Sequence, residues 1–229
     1  MKTNNNSRRN FLETVVLGTA VGGFSAFAGA VSAQPLSSAP AATPSDADEW
    51  FKKIKGKHRV VYDVTQPHGV FPFAWPRVFL LTNEATGTPE NECNVVVVLR
   101  HDAIPYALEN SLWPKYNFTE MFHAPDPMTG EPVSKNPFWK PAPGTFQFPG
   151  FGEVAIGIDQ LQASGVMFCV CNAALTVYSA AAAQAMNLDA GEVYQEWSDG
   201  LLPDIQVVPS GVWALGRAQE HGCAYIFAG

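Results

Sequence analysis

The stretch Asn94-Val95-Val96-Val97-Val98-Leu99-Arg100 decides the fold class, because its apolar residues follow one another without polar alternation. Such a run is typical of a strand that is covered on both faces, as in a parallel sheet between two layers of helices. A second run of this kind, residues 166–171, follows a helix-like segment at 153–164 and Gly165, a residue suited to the end of a helix. The two runs predict neighbouring βα units.

The rest of the chain continues this alternation of strands and helices. Further strands are predicted at residues 58–64, 205–208 and 223–227. Helices are predicted at residues 76–84, 103–113, 173–186, 189 or 190–199, and 211–221. Five strands that alternate with helices predict an α/β fold, a three-layer α/β/α sandwich around a five-stranded, mainly parallel sheet.

The N-terminus resembles a twin-arginine export signal. Ser7-Arg8-Arg9-Asn10-Phe11-Leu12 precedes an apolar, glycine-rich run at 15–30, and Val31-Ser32-Ala33 offers a cleavage site before Gln34. The run is short for a membrane anchor, which is the less favoured alternative. We therefore predict a signal peptide at residues 1–33, the twin-arginine translocase as a partner during export, and a periplasmic location.

The segment after the signal, residues 34–49, is rich in Ala, Pro, Ser and Thr, and we predict a flexible leader there. Order should begin near Trp50, which gives one domain at residues 50–229. Without Lys2, Arg8, Arg9 and Glu13, 11 basic and 20 acidic side chains remain, a net charge of −9. An acidic chain of this kind is not expected to bind nucleic acid.

Residues 117–152 break the rhythm of strands and helices with many prolines and aromatic residues. A loop this long inside a compact domain usually has a function or is disordered, and its aromatic residues argue against disorder. We expect an arm or lid that packs on its own domain or on a neighbouring subunit. A lid specific for a substrate is the alternative.

The carboxyl ends of the strands are the expected place for a site, because open α/β sheets bind ligands there. Cys171 ends a predicted strand just before Asn172 and a helix, whose N-terminus favours a reactive thiolate. His101 and Ser210 follow two other strands. Cys169 is interpreted as a small buried apolar residue.

Simpler roles are open for two of these candidates. His101, together with Asp102, could cap the helix predicted at 103–113, and Ser210 could cap the helix predicted at 211–221. His101 and Cys171 could also hold a soft metal such as copper or zinc if their strand ends meet. The sequence has no haem, zinc or phosphate-loop motif, and we predict neither a metal nor a cofactor.

The four cysteines do not form an obvious disulfide pattern. Cys169 and Cys171 are two residues apart in a strand, on one face but too far apart for an unstrained bridge. Cys93 and Cys223 each precede an apolar strand. Whether those two pair depends on a strand order that the sequence leaves open.

Three strings resemble the DsrE/DsrF-like family: GVMFCVCNAAL at 165–175, VPSGV at 208–212 and QEHGCAY at 219–225, together with the strand at 95–99 and the helix after it. The resemblance implies a small α/β sandwich that assembles as a trimer or hexamer. It also implies a persulfide on a cysteine after a strand, which corresponds to Cys171, or to Cys169 if the alignment shifts by two residues.

From these observations we expect an exported protein that carries or relays sulfane sulfur on Cys171, assisted by the helix N-terminus and His101, with Asn172 and Ser210 lining the site. A sulfur-donor or acceptor protein would be its partner. The alternative is a non-catalytic oligomeric module whose aromatic arm, residues 117–152, binds a ligand or a protein and whose cysteines only pack.

Overall fold

The strands and helices were assigned from a computed structural model, which describes residues 44–229. The strands are β1 (His58–Val64), β2 (Cys93–Leu99), β3 (Gln147–Phe148), β4 (Gly152–Glu153), β5 (Met167–Cys171), β6 (Ile205–Val208) and β7 (Ala224–Phe227). The α-helices are α1 (Pro44–Phe51), α2 (Phe71–Ala85), α3 (Leu112–Lys115), α4 (Phe118–Met121), α5 (Ile158–Ala163), α6 (Asn172–Met186), α7 (Ala190–Asp199) and α8 (Gly211–Glu220). Two 3₁₀ helices span Glu90–Glu92 and His101–Ala107.

The central sheet has five strands in the order β6-β5-β2-β1-β7, and each neighbouring pair is parallel. Helices cover both faces, so the predicted three-layer α/β/α sandwich is confirmed. The larger core lies between one face and α2, α5, α6 and α7. The smaller core lies between the other face and the helices α1 and α8.

Helix α1 begins ahead of Trp50, where we expected order to begin, and it occupies the end of the predicted leader at 34–49. Ala47 and Phe51 lie one helical turn apart and are both fully buried in the smaller core. Burial of this apolar pair accounts for a helix in a segment that was expected to be flexible. The predicted signal peptide at 1–33 and residues 34–43 lie outside the described residues.

Three predicted helices differ from the observed ones by several residues, and prolines explain two of these differences. Helix α2 starts at Phe71 instead of 76, because Pro72 fits its first turn, where a missing N–H costs nothing. The helix predicted at 103–113 is a 3₁₀ helix with Pro105 inside it, followed by the separate helix α3. The helix predicted at 153–164 begins only after Gly157, since Glu153 belongs to the short β3–β4 hairpin.

The segment 117–152 packs on its own domain. Its side chains Phe118, Phe122 and Phe138 are fully buried in the larger core. The buried Asn136 donates hydrogen bonds to two carbonyl oxygens of the 3₁₀ region, those of Tyr106 at 2.9 Å and Leu108 at 3.2 Å. The segment is therefore part of the hydrophobic core.

Between residues 44 and 229, every helix is too short or too polar to cross a membrane.

Candidate functional site

The candidate site lies where the chain leaves β5 and β6 in opposite directions. Strand β5 continues into α6 on the side of the larger core, whereas β6 continues into α8 on the side of the smaller core. Adjacent strands whose helices leave to opposite faces open a crevice at their carboxyl ends, and open α/β sheets bind ligands in such crevices. Cys171 ends β5, and Ser210 follows β6.

Cys171 is the N-cap residue of α6. Its Sγ accepts a hydrogen bond from the backbone N–H of Ala174 at 3.3 Å. The N-terminus of a helix stabilises negative charge through its free N–H groups and its dipole. The residue is 7% exposed, whereas Cys169 is 0% exposed. Cys171 is therefore nearly buried, at the point where the larger core meets the carboxyl ends of the strands.

Arg100 follows β2, the strand beside β5, and is fixed by a buried carboxylate. Its Nε and Nη2 donate to the two oxygens of Asp63 at 2.6 and 2.9 Å, and the Tyr225 hydroxyl donates to the same carboxylate at 2.9 Å. Asp63 is only 2% exposed. This pairing is the main reason that the pKa of Arg100 is raised, and a charge on Cys171 acts in the same direction.

The Arg100 side chain also lies against the start of α8. A Cβ atom at Gly211 would come within 2.6 Å of the Arg100 Cδ and 2.8 Å of its Cβ. Glycine at this position therefore allows the close approach of the arginine to the helix. Ser210 caps the same helix by accepting the N–H of Trp213 at 3.3 Å, which confirms the capping role predicted for it.

His101 is exposed at the end of β2 and has a left-handed backbone conformation, with φ of 48°. Partial burial and then the neighbouring Arg100 lower the pKa of its imidazole, so the ring is neutral at pH 7. In the described part of the chain, its side chain makes no hydrogen bond to Cys171. Neither His101 nor Asp102 caps a helix by a side chain; instead, Asp102 accepts a hydrogen bond from the Tyr178 hydroxyl.

Asn172 connects the crevice to a neighbouring cavity of about 440 Å³ between α6, α7 and β6. Its Oδ1 accepts a hydrogen bond from the Tyr194 hydroxyl at 2.6 Å. Tyr194, Ser198 and Gln206 contribute polar groups to the cavity wall, and Leu175 contributes an apolar one. Asn172, the residue after Cys171, lines this cavity, whereas Cys171 itself does not.

The other three cysteines are free thiols in less favourable surroundings. Cys169 packs in the smaller core, whereas Cys171 packs in the larger one. The two side chains separate because the chain turns at Cys171 to start α6. The prediction that they share a face of the sheet is therefore wrong. Cys93 and Cys223 lie on opposite sides of the sheet with β1 between their strands, so they do not pair. Burial raises the pKa of all three thiols other than Cys171, that of Cys223 to about 11.

Metal ligands do not converge in residues 44–229: the structure brings together no group of three or more His, Cys, Asp and Glu side chains there.

Sequence reasoning missed two residues of this site, Asp63 and Arg100. The signal for the first was a lone carboxylate in the apolar strand HRVVYDV at 58–64. The signal for the second was an arginine directly after the run at 95–99. Their pairing required knowledge that β1 and β2 are neighbours, with Asp63 opposite Val98.

The comparisons with known proteins assign neither a family nor a function to this chain. No family model matches the sequence, and no curated protein matches it. Among solved structures, the chain is similar to a protein of unknown function, MTH1491, from Methanobacterium thermoautotrophicum, at 19% identity and a TM-score of 0.35. The match covers 75% of this chain and 99% of that one.

Proposed function

We propose that this protein carries sulfane sulfur on Cys171 and passes it to a partner thiol. The observation that carries the proposal is the placement of the Cys171 Sγ at the β5–β6 crevice, where it accepts the Ala174 N–H at the start of α6. A thiolate or a persulfide anion at this atom is stabilised by the helix N-terminus and by the positive charge of Arg100.

The proposed chemistry is thiol exchange without net oxidation. The Cys171 thiolate attacks the outer sulfur of a donor persulfide; a new S–S bond forms, the donor's S–S bond breaks, and the donor leaves as a thiolate. An acceptor thiolate then attacks the outer sulfur of the Cys171 persulfide and releases the Cys171 thiolate. Each step transfers one neutral sulfur atom, so no oxidant or reductant is needed.

The other site residues have supporting roles in this proposal. Asp63 holds Arg100 in place, Asn172 and Ser210 line the crevice, and the neutral imidazole of His101 accepts the proton of an incoming thiol or persulfide. The resemblance to the DsrE/DsrF-like family supports the choice of sulfur as the cargo. The twin-arginine pattern at residues 1–33 supports export to the periplasm, where the donor and acceptor proteins would be met.

The proposal predicts that iodoacetamide labels Cys171 before the other cysteines in the folded protein. At pH 8 only about 0.1% of Cys223 is a thiolate, because its pKa is raised to about 11. Cys169 and Cys93 are also held as neutral thiols by burial. We expect labelling of Cys171 to be roughly tenfold or more faster at pH 8, measured by mass spectrometry of the peptides over time.

The pH dependence supplies the control. Labelling of Cys223 should rise about tenfold per pH unit until the pH nears 11, since its thiolate fraction rises in this way. The fast phase should disappear in Cys171→Ser. Equal, slow labelling of Cys171 and Cys169 at pH 8 would contradict the sulfur-carrier proposal and favour the non-catalytic binding module.

A further inference from the structure

The cavity beside Asn172 lies at an edge of the central sheet. Strand β6, the outermost strand on this side, forms one wall, and helices α6 and α7 form the others. Leu175 and Ile205 line the cavity and are buried, whereas Gln195 and Asp199 line it and are exposed. The cavity therefore opens to solvent at α7 and has an apolar floor. Its volume of about 440 Å³ lies within the roughly 300–1,000 Å³ that is usual for small-molecule sites.

The lining of this cavity carries negative charge. Asp199 is the only charged residue among the ten residues that line it. Asp199 also ends α7, and the carbonyl groups at the end of a helix carry a partial negative charge that basic residues usually offset. The last turn of α7 contains no basic residue, and Lys115, which approaches it from α3, is paired with Glu196. The cavity therefore favours a cation over an anion.

The hydrogen bonds of the wall point to a ligand that donates hydrogen bonds. Both hydroxyl groups of the lining already donate within the protein, Tyr194 to Asn172 Oδ1 at 2.6 Å and Ser198 to the Tyr194 carbonyl at 2.8 Å. Asp199 accepts Gln195 Nε2 on Oδ1 at 2.8 Å, and within residues 44–229 no group donates to its Oδ2. The free lone pairs on Asp199 and Ser198 are therefore suited to a group such as ammonium.

We propose that this cavity binds a small organic cation, an ammonium group on a short apolar or aromatic body. The ammonium group donates to Asp199 and Ser198 at the open end, and the body packs on Leu175 and Ile205. A metal ion is less suited, because Asp199 is the only carboxylate in the lining and metal sites use several such ligands. Cys171 does not line the cavity, so this second site does not depend on sulfur transfer.

The test is a titration with three probes of similar size and different charge: the cation 2-phenylethylamine, the neutral 2-phenylethanol and the anion phenylacetate. Isothermal titration calorimetry of the folded protein measures the affinity for each probe. The amine should bind roughly tenfold or more tightly than the alcohol, because only the amine forms a charge-assisted hydrogen bond with the carboxylate. Phenylacetate should bind most weakly, since its own charge is repelled.

Two variants locate the site, and a third is the control. Asp199→Asn removes the charge and keeps the size of the side chain, so the preference for the amine over the alcohol should fall to about twofold or less. Ser198→Leu fills the cavity and should weaken binding of both the amine and the alcohol. Glu192→Gln removes the same charge from the first turn of α7, on an exposed residue outside the cavity, and should keep the wild-type preference.

Circular dichroism of each variant verifies that it is folded. Absence of amine binding to the folded wild-type protein would overturn the proposal, and so would equal affinities for the amine and the alcohol. A preference for the amine that Asp199→Asn leaves unchanged would also overturn it. Sulfur transfer is tested separately by the labelling of Cys171, so failure of one proposal leaves the other standing.

Discussion

Replacing Asp63 with alanine is expected to lower the free energy of unfolding by about 3–5 kcal/mol, the typical cost of removing one partner of a buried ion pair. The carboxylate is 2% exposed and accepts hydrogen bonds from Nε and Nη2 of Arg100. Without it, the guanidinium has no carboxylate partner in the described structure. Only 17% of the Arg100 side chain is exposed, so water replaces that partner poorly. Urea unfolding measured by tryptophan fluorescence would give the loss.

Tyr225→Phe is the control that tests the hydrogen bond to Asp63 while the ion pair with Arg100 stays intact. This change removes the hydroxyl that donates to Asp63 and keeps the ring, so we expect a loss of about 1 kcal/mol. The comparison that matters is between the losses of unfolding free energy in Asp63→Ala and in Tyr225→Phe. If Asp63→Ala costs no more than Tyr225→Phe, the carboxylate does not hold Arg100 in the folded protein, and the account of the arginine's position is wrong.

The second large effect is expected at Phe138, within the segment 117–152. Its ring is fully buried, stacks on Phe73 with 4.0 Å between ring centroids, and contacts Tyr106 and Phe146. Phe138→Ala should lower the free energy of unfolding by about 3–5 kcal/mol, since it removes a large apolar side chain and leaves a cavity. Thermal or urea unfolding of the purified variant measures this loss.

Phe151→Ala is the matched control from the same segment, because Phe151 is 82% exposed. Its effect should stay within about 0.5 kcal/mol. Similar small effects for both variants would mean that the segment does not share the core of the domain. It would then have to be described as a separable lid.

The sheet could be predicted from the sequence because its central strands are buried on both faces and leave an unbroken apolar signature. The runs at 58–64 and 205–208 agree with β1 and β6 residue for residue. The position of Cys171 between β5 and α6 was also predictable, since a strand pattern changes there directly to an alanine-rich helix. Such local patterns carry the architecture of this chain.

Features that depend on contacts between distant segments could not be predicted. The link from Asp63 to Arg100 requires the strand order, and the burial of Phe138 requires the packing of 117–152 onto α2. The 3₁₀ helix at His101–Ala107 differs from the predicted α-helix because Pro105 interrupts the hydrogen bonding that residues 103–113 otherwise favour. The separation of Cys169 from Cys171 follows from a backbone turn that strand alternation does not foresee.

The most direct measurement of the central claim is the mass of the Cys171 peptide after the folded protein has been incubated with a low-molecular-weight persulfide. We expect this peptide to gain the mass of one sulfur atom in the wild-type protein and in Cys169→Ala, and we expect no such gain in Cys171→Ser. A second thiol, added afterwards, should remove the sulfur and restore the original mass. Absence of the added sulfur from Cys171 in protein that is folded, or its appearance on the other cysteines alone, would contradict the claim.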